Sequence, residues 1–183
     1  MKHLKTTWSP LLLGMLLMAV LVGVAGDGTP ARAAVGSRQL IIPAGDFHPD
    51  SNLDTVRFTN RGYYMYSDTT VTLTLYAAVQ FPVAYYATVD KLELMACDNN
   101  PSGTIAVGLY KTKPAAGNEI GMAYIDTGEA STDPTDPRIW VDTSIDNPTV
   151  KPAEGTYLML YFDTAGIPTP KFYGVRIWYH PGF

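Results

Sequence analysis

Val71-Thr72-Leu73-Thr74-Leu75-Tyr76-Ala77-Ala78-Val79-Gln80-Phe81 decides the fold, because its apolar side chains recur at every second position. Val71, Leu73, Leu75, Ala77, Val79 and Phe81 fall on one face of an extended chain, and Thr72, Thr74, Tyr76, Ala78 and Gln80 on the other. That alternation predicts a strand with one face on a core and one toward solvent. Ile105, Val107 and Leu109 repeat it opposite Ala106, Gly108 and Tyr110, and Val56 with Phe58 does so opposite Thr55, Arg57 and Thr59. Further strands are expected over 39–42, 62–66, 89–97, 120–127, 138–144, 157–162 and 172–179. No sustained helical period follows the N-terminal apolar run.

The punctuation between these segments is turn chemistry: Asp98-Asn99-Asn100-Pro101-Ser102-Gly103, Lys113-Pro114-Ala115-Ala116-Gly117-Asn118 and Gly166-Ile167-Pro168. The longest loops are expected at 128–137 and 145–155. About nine short strands spaced in this way predict an all-β chain folded as an antiparallel β-sandwich of jelly-roll-like kind. With no internal repeat and no shift in composition, 34–183 is expected to be one β-sandwich domain. Leu40 to Ile42 and Phe172 to Tyr179 are too apolar to be tails, so both ends of that domain should be strands of the sandwich.

At the N-terminus, Lys2 and Lys5 precede an apolar run from Leu11 to Val24, and Ala31-Arg32-Ala33-Ala34 follows. A basic start, a short apolar stretch and small residues are the marks of a secretory signal peptide. The run falls short of the roughly 20 residues that cross a bilayer, so 1–33 is expected to be a signal peptide helix that is cleaved. The product would be secreted or extracellular, with no membrane segment after signal cleavage. Cleavage takes Lys2, Lys5, Arg32 and Asp27 from 13 basic and 17 acidic side chains, leaving 10 and 16 and a net charge of about −6. A negative chain without a cluster of Lys and Arg lacks the field that attracts phosphate backbones, so no nucleic acid partner is expected. One cysteine cannot form an internal disulfide.

Three further segments carry a resemblance: Ile42-Pro43-Ala44-Gly45-Asp46-Phe47, then Val79-Gln80-Phe81-Pro82 ahead of a strand ending in Cys97-Asp98-Asn99, and Tyr173-Gly174-Val175-Arg176-Ile177-Trp178-Tyr179. Together they resemble an uncharacterised family of bacterial secreted, jelly-roll-like β-sandwich domains. The resemblance implies a fold and an extracellular location and supplies no catalytic residues. Where related sequences favour a Leu-Pro-Asp-Gly-Ala turn, this chain has Phe81-Pro82-Val83-Ala84-Tyr85.

The parts of a catalytic site are scarce. His48 and His180 are the histidines after the leader, and neither lies in a nucleophile motif. There is no Gly-x-Ser-x-Gly, no His-Glu-x-x-His, no phosphate-cradling Gly-rich loop with Lys and no cysteine pair for zinc. The expectation is therefore a chain that is not an enzyme and takes no cofactor. A glycosidase-like carboxylate pair would leave no local signature, and no pair is assigned. Cys97 reads as a small buried hydrophobe rather than a nucleophile, since no neighbouring base lowers its pKa. Two oxygen-rich clusters, Asp98-Asn99-Asn100 and Asp126 with Glu129, Asp133 and Asp136, are chemically suited to calcium but match no EF-hand spacing; Asx residues beside Pro and Gly are ordinary turn formers.

Aromatic residues carry the functional expectation. The chain has 12 Tyr and 6 Phe, and its tryptophans after the leader are Trp140 and Trp178. If Ile139, Val141, Val175 and Ile177 point inward, both tryptophans point away from the core, where flat apolar rings can stack on a sugar or dock a partner. Trp140 and Trp178 are thus the expected ligand-binding residues of a non-catalytic module for carbohydrate or another cell-surface polymer. The competing expectation is a structural, self-associating subunit of the envelope or of an extracellular layer, because a sandwich fold serves both roles.

Overall fold

The structure is a computed structural model, and it describes residues 36–49, 58–67, 72–99, 103–113, 117–128, 137–163 and 170–182. Contacts between Cα atoms divide the chain into Met1–Val35 and Gly36–Phe183. The first unit, with the expected signal peptide helix, lies outside the described residues, as do Val56, Glu129, Asp133 and Asp136.

Gly36–Phe183 is built from strands, as its alternating pattern requires. In chain order these are β1 (Arg38–Pro43), β2 (His48–Pro49), β3 (Thr59–Asn60), β4 (Met65–Tyr66), β5 (Thr72–Val79), β6 (Tyr86–Cys97), β7 (Thr104–Lys113), β8 (Asn118–Asp126), β9 (Arg138–Asp142), β10 (Thr149–Val150), β11 (Gly155–Asp163) and β12 (Lys171–Gly182). A single 3-10 turn, Ala44–Asp46, follows β1.

Two antiparallel sheets result. One has seven strands in the order β10-β6-β12-β4-β3, with β1 also on β12 and β9 also on β6; the other runs β2-β5-β11-β7-β8. The chain crosses repeatedly between them: β5 lies in the five-stranded sheet, β6 in the seven-stranded one, β7 and β8 in the first again, β9 and β10 in the second, β11 in the first and β12 in the second. That alternation makes the sandwich jelly-roll-like rather than a stack of hairpins.

The apolar face of the opening stretch does what its period demands. Leu73, Leu75, Ala77 and Val79 are buried beside Leu158 and Leu160 of β11 and Val107 and Leu109 of β7, and the other sheet supplies Leu92, Leu94, Val175 and Ile177 to the same core cluster. Each such Leu or Ile stabilises the fold by roughly 1.5–3 kcal/mol relative to leaving it in water.

Both ends of this unit are strands of the sandwich. β12 lies between β6 and β1, with Leu40 opposite Ile177 and Ile42 opposite Val175. The pairing of β12 with β6 shifts between Phe172 and Gly174. Gly174 there has φ +144°, and a Cβ would lie 2.5 Å from the Ile42 carbonyl oxygen, so the close passage of β1 admits only glycine.

The expected loop 145–155 contains β10, whose Val150 and Thr149 pair with Ala87 and Thr88 of β6. A two-residue strand gives no periodicity to read. An inward-facing lysine ties the same segment down: Lys111 of β7 is buried, and its Nζ donates to the carbonyl oxygens of Asn147 at 2.9 Å and Thr149 at 2.6 Å. The Glu154 carboxylate lies 4.0 Å from that ammonium.

Candidate functional site

The two tryptophans occupy opposite faces of the seven-stranded sheet. On β12 the expected parity is the observed one: Val175 and Ile177 are buried in the core, and Trp178 shares the outer face with Arg176. Trp178 is half-buried there, with Lys91 Nζ 4.6 Å from its ring centroid.

On β9 the parity is reversed. Trp140 is opposite Leu94, an inward residue with no exposure, whereas Ile139 and Val141 are opposite Met95 and Glu93 on the outer face. Trp140 therefore packs against the core cluster, and Ile139 and Val141 are 53% and 52% exposed. The cause is register: in an edge strand with an apolar residue at every position from 139 to 141, the partner strand decides which face is inner. Trp140 does not join Trp178 in one platform.

The outer face of the seven-stranded sheet is dominated by charge pairing. Glu93 is covered, with Lys91 Nζ 2.7 Å from one carboxylate oxygen and Arg176 Nη1 3.0 Å from the other. Burial pushes the Glu93 carboxyl up, but the hydrogen bond from Lys91 and the charges of Lys91 and Arg176 outweigh it and hold the group below its ordinary value.

The five-stranded sheet presents a different outer face. Tyr76 of β5, Tyr157, Met159 and Tyr161 of β11, Tyr110 of β7 and Tyr124 of β8 all alternate with buried core residues and so point outward. Register brings them together. Met159 is opposite Tyr76 on one side and Gly108 on the other; Tyr157 is opposite Ala78 and Tyr110; Tyr161 is opposite Thr74 and Ala106; and Gly108 is opposite Tyr124.

The rings are coupled. Tyr110 and Tyr157 are stacked within 14° of parallel with centroids 5.4 Å apart, and Tyr76 follows at 6.0 Å from Tyr157. Ala106 and Gly108 are buried although they face outward, because these side chains cover them. Tyr124 is 57% exposed at the β8 edge.

Beside that edge lies a cleft of about 330 Å³ lined by Tyr110, Gly121, Tyr124, Asp142, Ser144 and Asp146. Asp142 is fixed by two backbone N–H groups, accepting from Tyr124 at 3.3 Å and Ser144 at 2.7 Å. At the other end, a cleft of about 510 Å³ begins at Ala78 and Gly155 and runs to Phe81, Lys151 and Glu154. Burial, with the nearby charge of Asp126, raises the pKa of Tyr124; burial, with Glu119 hydrogen-bonded to the hydroxyl, raises that of Tyr157. Both hydroxyls therefore stay protonated donors through neutral and mildly alkaline pH.

This tyrosine face was readable in part from the sequence. Tyr76 and Tyr110 stand on the polar sides of their alternating strands, and Tyr157 and Tyr161 alternate with Leu158, Leu160 and Phe162. What the sequence withholds is that β5, β11, β7 and β8 are neighbours in one sheet.

Asp90 accepts from the Ser37 hydroxyl at 3.2 Å and contacts His180 Nδ1 at 2.8 Å, so a carboxylate separates the hydroxyl from the imidazole. In a Ser-His-Asp triad the imidazole instead lies between hydroxyl and carboxylate. Cys97 is buried, beside Tyr173. Asp98 is fully buried and accepts the hydroxyl of Thr127, whose oxygen in turn accepts the Ile105 N–H. Among the described residues no three His, Cys, Asp or Glu side chains come together as a metal site. The described helices include none long and apolar enough to cross a membrane.

No family model matches the chain, and no curated protein matches it in sequence. Solved structures match it in structure. The C-terminal CBM6 of LamC, a marine laminarinase from Zobellia galactanivorans, is 13% identical with a TM-score of 0.41, covering 76% of this chain and 98% of that one. The CBM36-1 domain of a multidomain xylanase from the hindgut metagenome of Trinervitermes trinervoides is 11% identical with a TM-score of 0.43, covering 76% and 96%. The xylan-binding module CBM15 is 8% identical with a TM-score of 0.51, covering 78% of this chain and 97% of that one. The β-sandwich of Gly36–Phe183 is thus similar to that of the xylan-binding module, and at this identity the likeness is one of fold.

Proposed function

We propose that this chain is a secreted, non-catalytic module that binds polysaccharide on the outer face of its five-stranded sheet. In this reading residues 1–33 are a signal peptide and 34–183 the working domain. The observation that carries it is the group of five outward tyrosines, Tyr76, Tyr110, Tyr124, Tyr157 and Tyr161, two of them stacked within 14° of parallel and flanked by clefts at both ends. Tyrosine rings offer apolar surface to the C–H faces of a sugar, while their hydroxyls donate to its oxygens. That the fold is shared with a xylan-binding module agrees with this reading.

The test is affinity electrophoresis through gels containing soluble β-glucans, xylans, mannans or pectins. The wild-type chain should be retarded by at least one of them. Tyr110→Ala with Tyr157→Ala should lower that affinity about 30-fold or more, the loss of about 2 kcal/mol typical of a buried aromatic anchor. Retardation by none of these polymers sinks the reading.

A second reading, self-association, is favoured by Ile41, Ile139 and Val141, which are 51–53% exposed on the outer face of the seven-stranded sheet. A concentration-dependent sizing profile that Val141→Lys abolishes would support it.

A further inference from the structure

The tyrosine face depends on a residue that has no side chain. In a strand, side chains stand roughly perpendicular to the sheet, and a row of upright rings presents edges rather than faces. Tyr110 does not stand in that way. A Cβ built on Gly108, the outward position two residues before it, would lie 2.8 Å from the Tyr110 hydroxyl and 2.9 Å from its Cζ, closer than Cβ atoms approach other groups. The ring thus occupies the volume that any side chain at 108 would fill, lying back along β7. Gly121, opposite Tyr110 on β8, is more permissive: a Cβ there would meet Tyr110 Cε1 at 3.8 Å, an ordinary contact.

We infer that Gly108 is a positioning residue of the polysaccharide site: the space it leaves open lets the Tyr110 ring lie back along β7 in its offset stack with Tyr157. The inference rests on the proposed function. Met159 and Tyr124, the residues opposite Gly108, flank the ring that fills its place.

A tyrosine over a glycine also seals exposed strand backbone, which is a purely structural service. The chain contains a control for that service. Gly182 is opposite Tyr86 in the seven-stranded sheet, and a Cβ on Gly182 would run into the Tyr86 ring. That glycine lies outside the tyrosine face.

The experiment uses the full chain with Gly108→Ala or Gly182→Ala. Two readouts are taken: affinity for whichever soluble polysaccharide retards the wild type, and nitration of Tyr110 by tetranitromethane, measured by peptide mass spectrometry. Gly108→Ala should lower affinity tenfold or more and raise Tyr110 nitration, because the displaced ring lifts into solvent. Gly182→Ala should leave both unchanged. In a Tyr110→Ala background, Gly108→Ala should have no further effect on affinity.

Wild-type affinity in Gly108→Ala, or an equal loss with and without Tyr110, overturns the inference. If Gly108→Ala fails to fold, Tyr110→Leu, which keeps an apolar cover over Gly108 but no flat ring, must lose tenfold on a folded chain; full affinity there overturns it as well. If the wild type binds no polysaccharide, the proposed function fails. The nitration arm still reports whether Gly108 sets the ring, and unchanged nitration in Gly108→Ala overturns that positioning by itself.

Discussion

Replacing Lys111 by Met tests how the loop bordering the larger cleft is held. The Lys111 side chain is only 8% exposed and that of Glu154 11%, so the pair is largely shielded from water. Its Nζ donates to two carbonyl oxygens, those of Asn147 and Thr149, at 2.9 and 2.6 Å. Asn147 itself sits at φ +47°, a left-handed conformation that asparagine adopts more readily than other non-glycine residues. Met preserves the apolar stem but removes both charge-assisted bonds, each worth roughly 1.5–3 kcal/mol. It also leaves Glu154 without its cation. Relief from burying an ammonium offsets part of the loss, as it does when buried ion pairs are exchanged for apolar groups, and a net destabilisation of about 3 kcal/mol remains. For a domain of this size that corresponds to a fall of roughly 6–12 °C in melting temperature. Urea denaturation should show a lower midpoint with an unchanged slope, and adding Glu154→Gln should recover part of the loss. A decrease below about 1 kcal/mol would mean that the ammonium exchanges its partners for water at little cost, and that other contacts order the loop.

Three more outcomes are expected. Trp140→Ala should destabilise the fold by about 2–4 kcal/mol, somewhat less than for a fully buried tryptophan, because the ring packs on the core without being enclosed; a melting temperature lowered by only a degree or two would place it outside the core after all. Glu93 has a folded pKa below its ordinary 4.5, so its contribution to stability is complete above that value and is lost as pH falls through the folded one; Glu93→Gln should flatten the acid limb of a stability profile, and an unaltered limb would assign it to other carboxylates. Tyr124, Tyr157 and Tyr173 have pKa values raised above 10.0, mainly by burial. They should ionise above the ordinary tyrosine value in a spectrophotometric titration, and stability should decline as pH rises above 10.0. A titration in which none of these three ionises above that value would contradict their environments.

Strong periodicity made the fold legible. The alternation in 71–81 reports one buried face and one wet face, and the burial of Leu73, Leu75, Ala77 and Val79 follows from it directly. Two-residue strands such as β10 have no period to detect, so their place in the sheet depends on partners far away in sequence. Trp140 illustrates a subtler loss. Ile139, Trp140 and Val141 are all apolar, and only pairing with Leu94 on β6 determines that the tryptophan turns inward. The tyrosine face was half-legible for a related reason. Parity set Tyr76 and Tyr110 outward, but the stacking of Tyr110 on Tyr157 needs β7 and β11 to be adjacent, and those strands are more than forty residues apart along the chain. The way the Tyr110 ring lies back along its strand depends on Gly108, a residue whose sequence context reads only as a small side chain on the polar side of a strand.

The central claim is that polysaccharide binds the outer face of the five-stranded sheet, and mapping the contact surface by NMR tests it most directly. With tyrosine ring resonances assigned, a soluble polysaccharide fragment is titrated into the full chain. The account predicts saturating shifts at Tyr76, Tyr110, Tyr124, Tyr157 and Tyr161, with little change at Trp178 or at Tyr63, which is 70% exposed on its own strand connection. Shifts centred on Trp178 or Tyr63, with the five-stranded sheet silent, would contradict it.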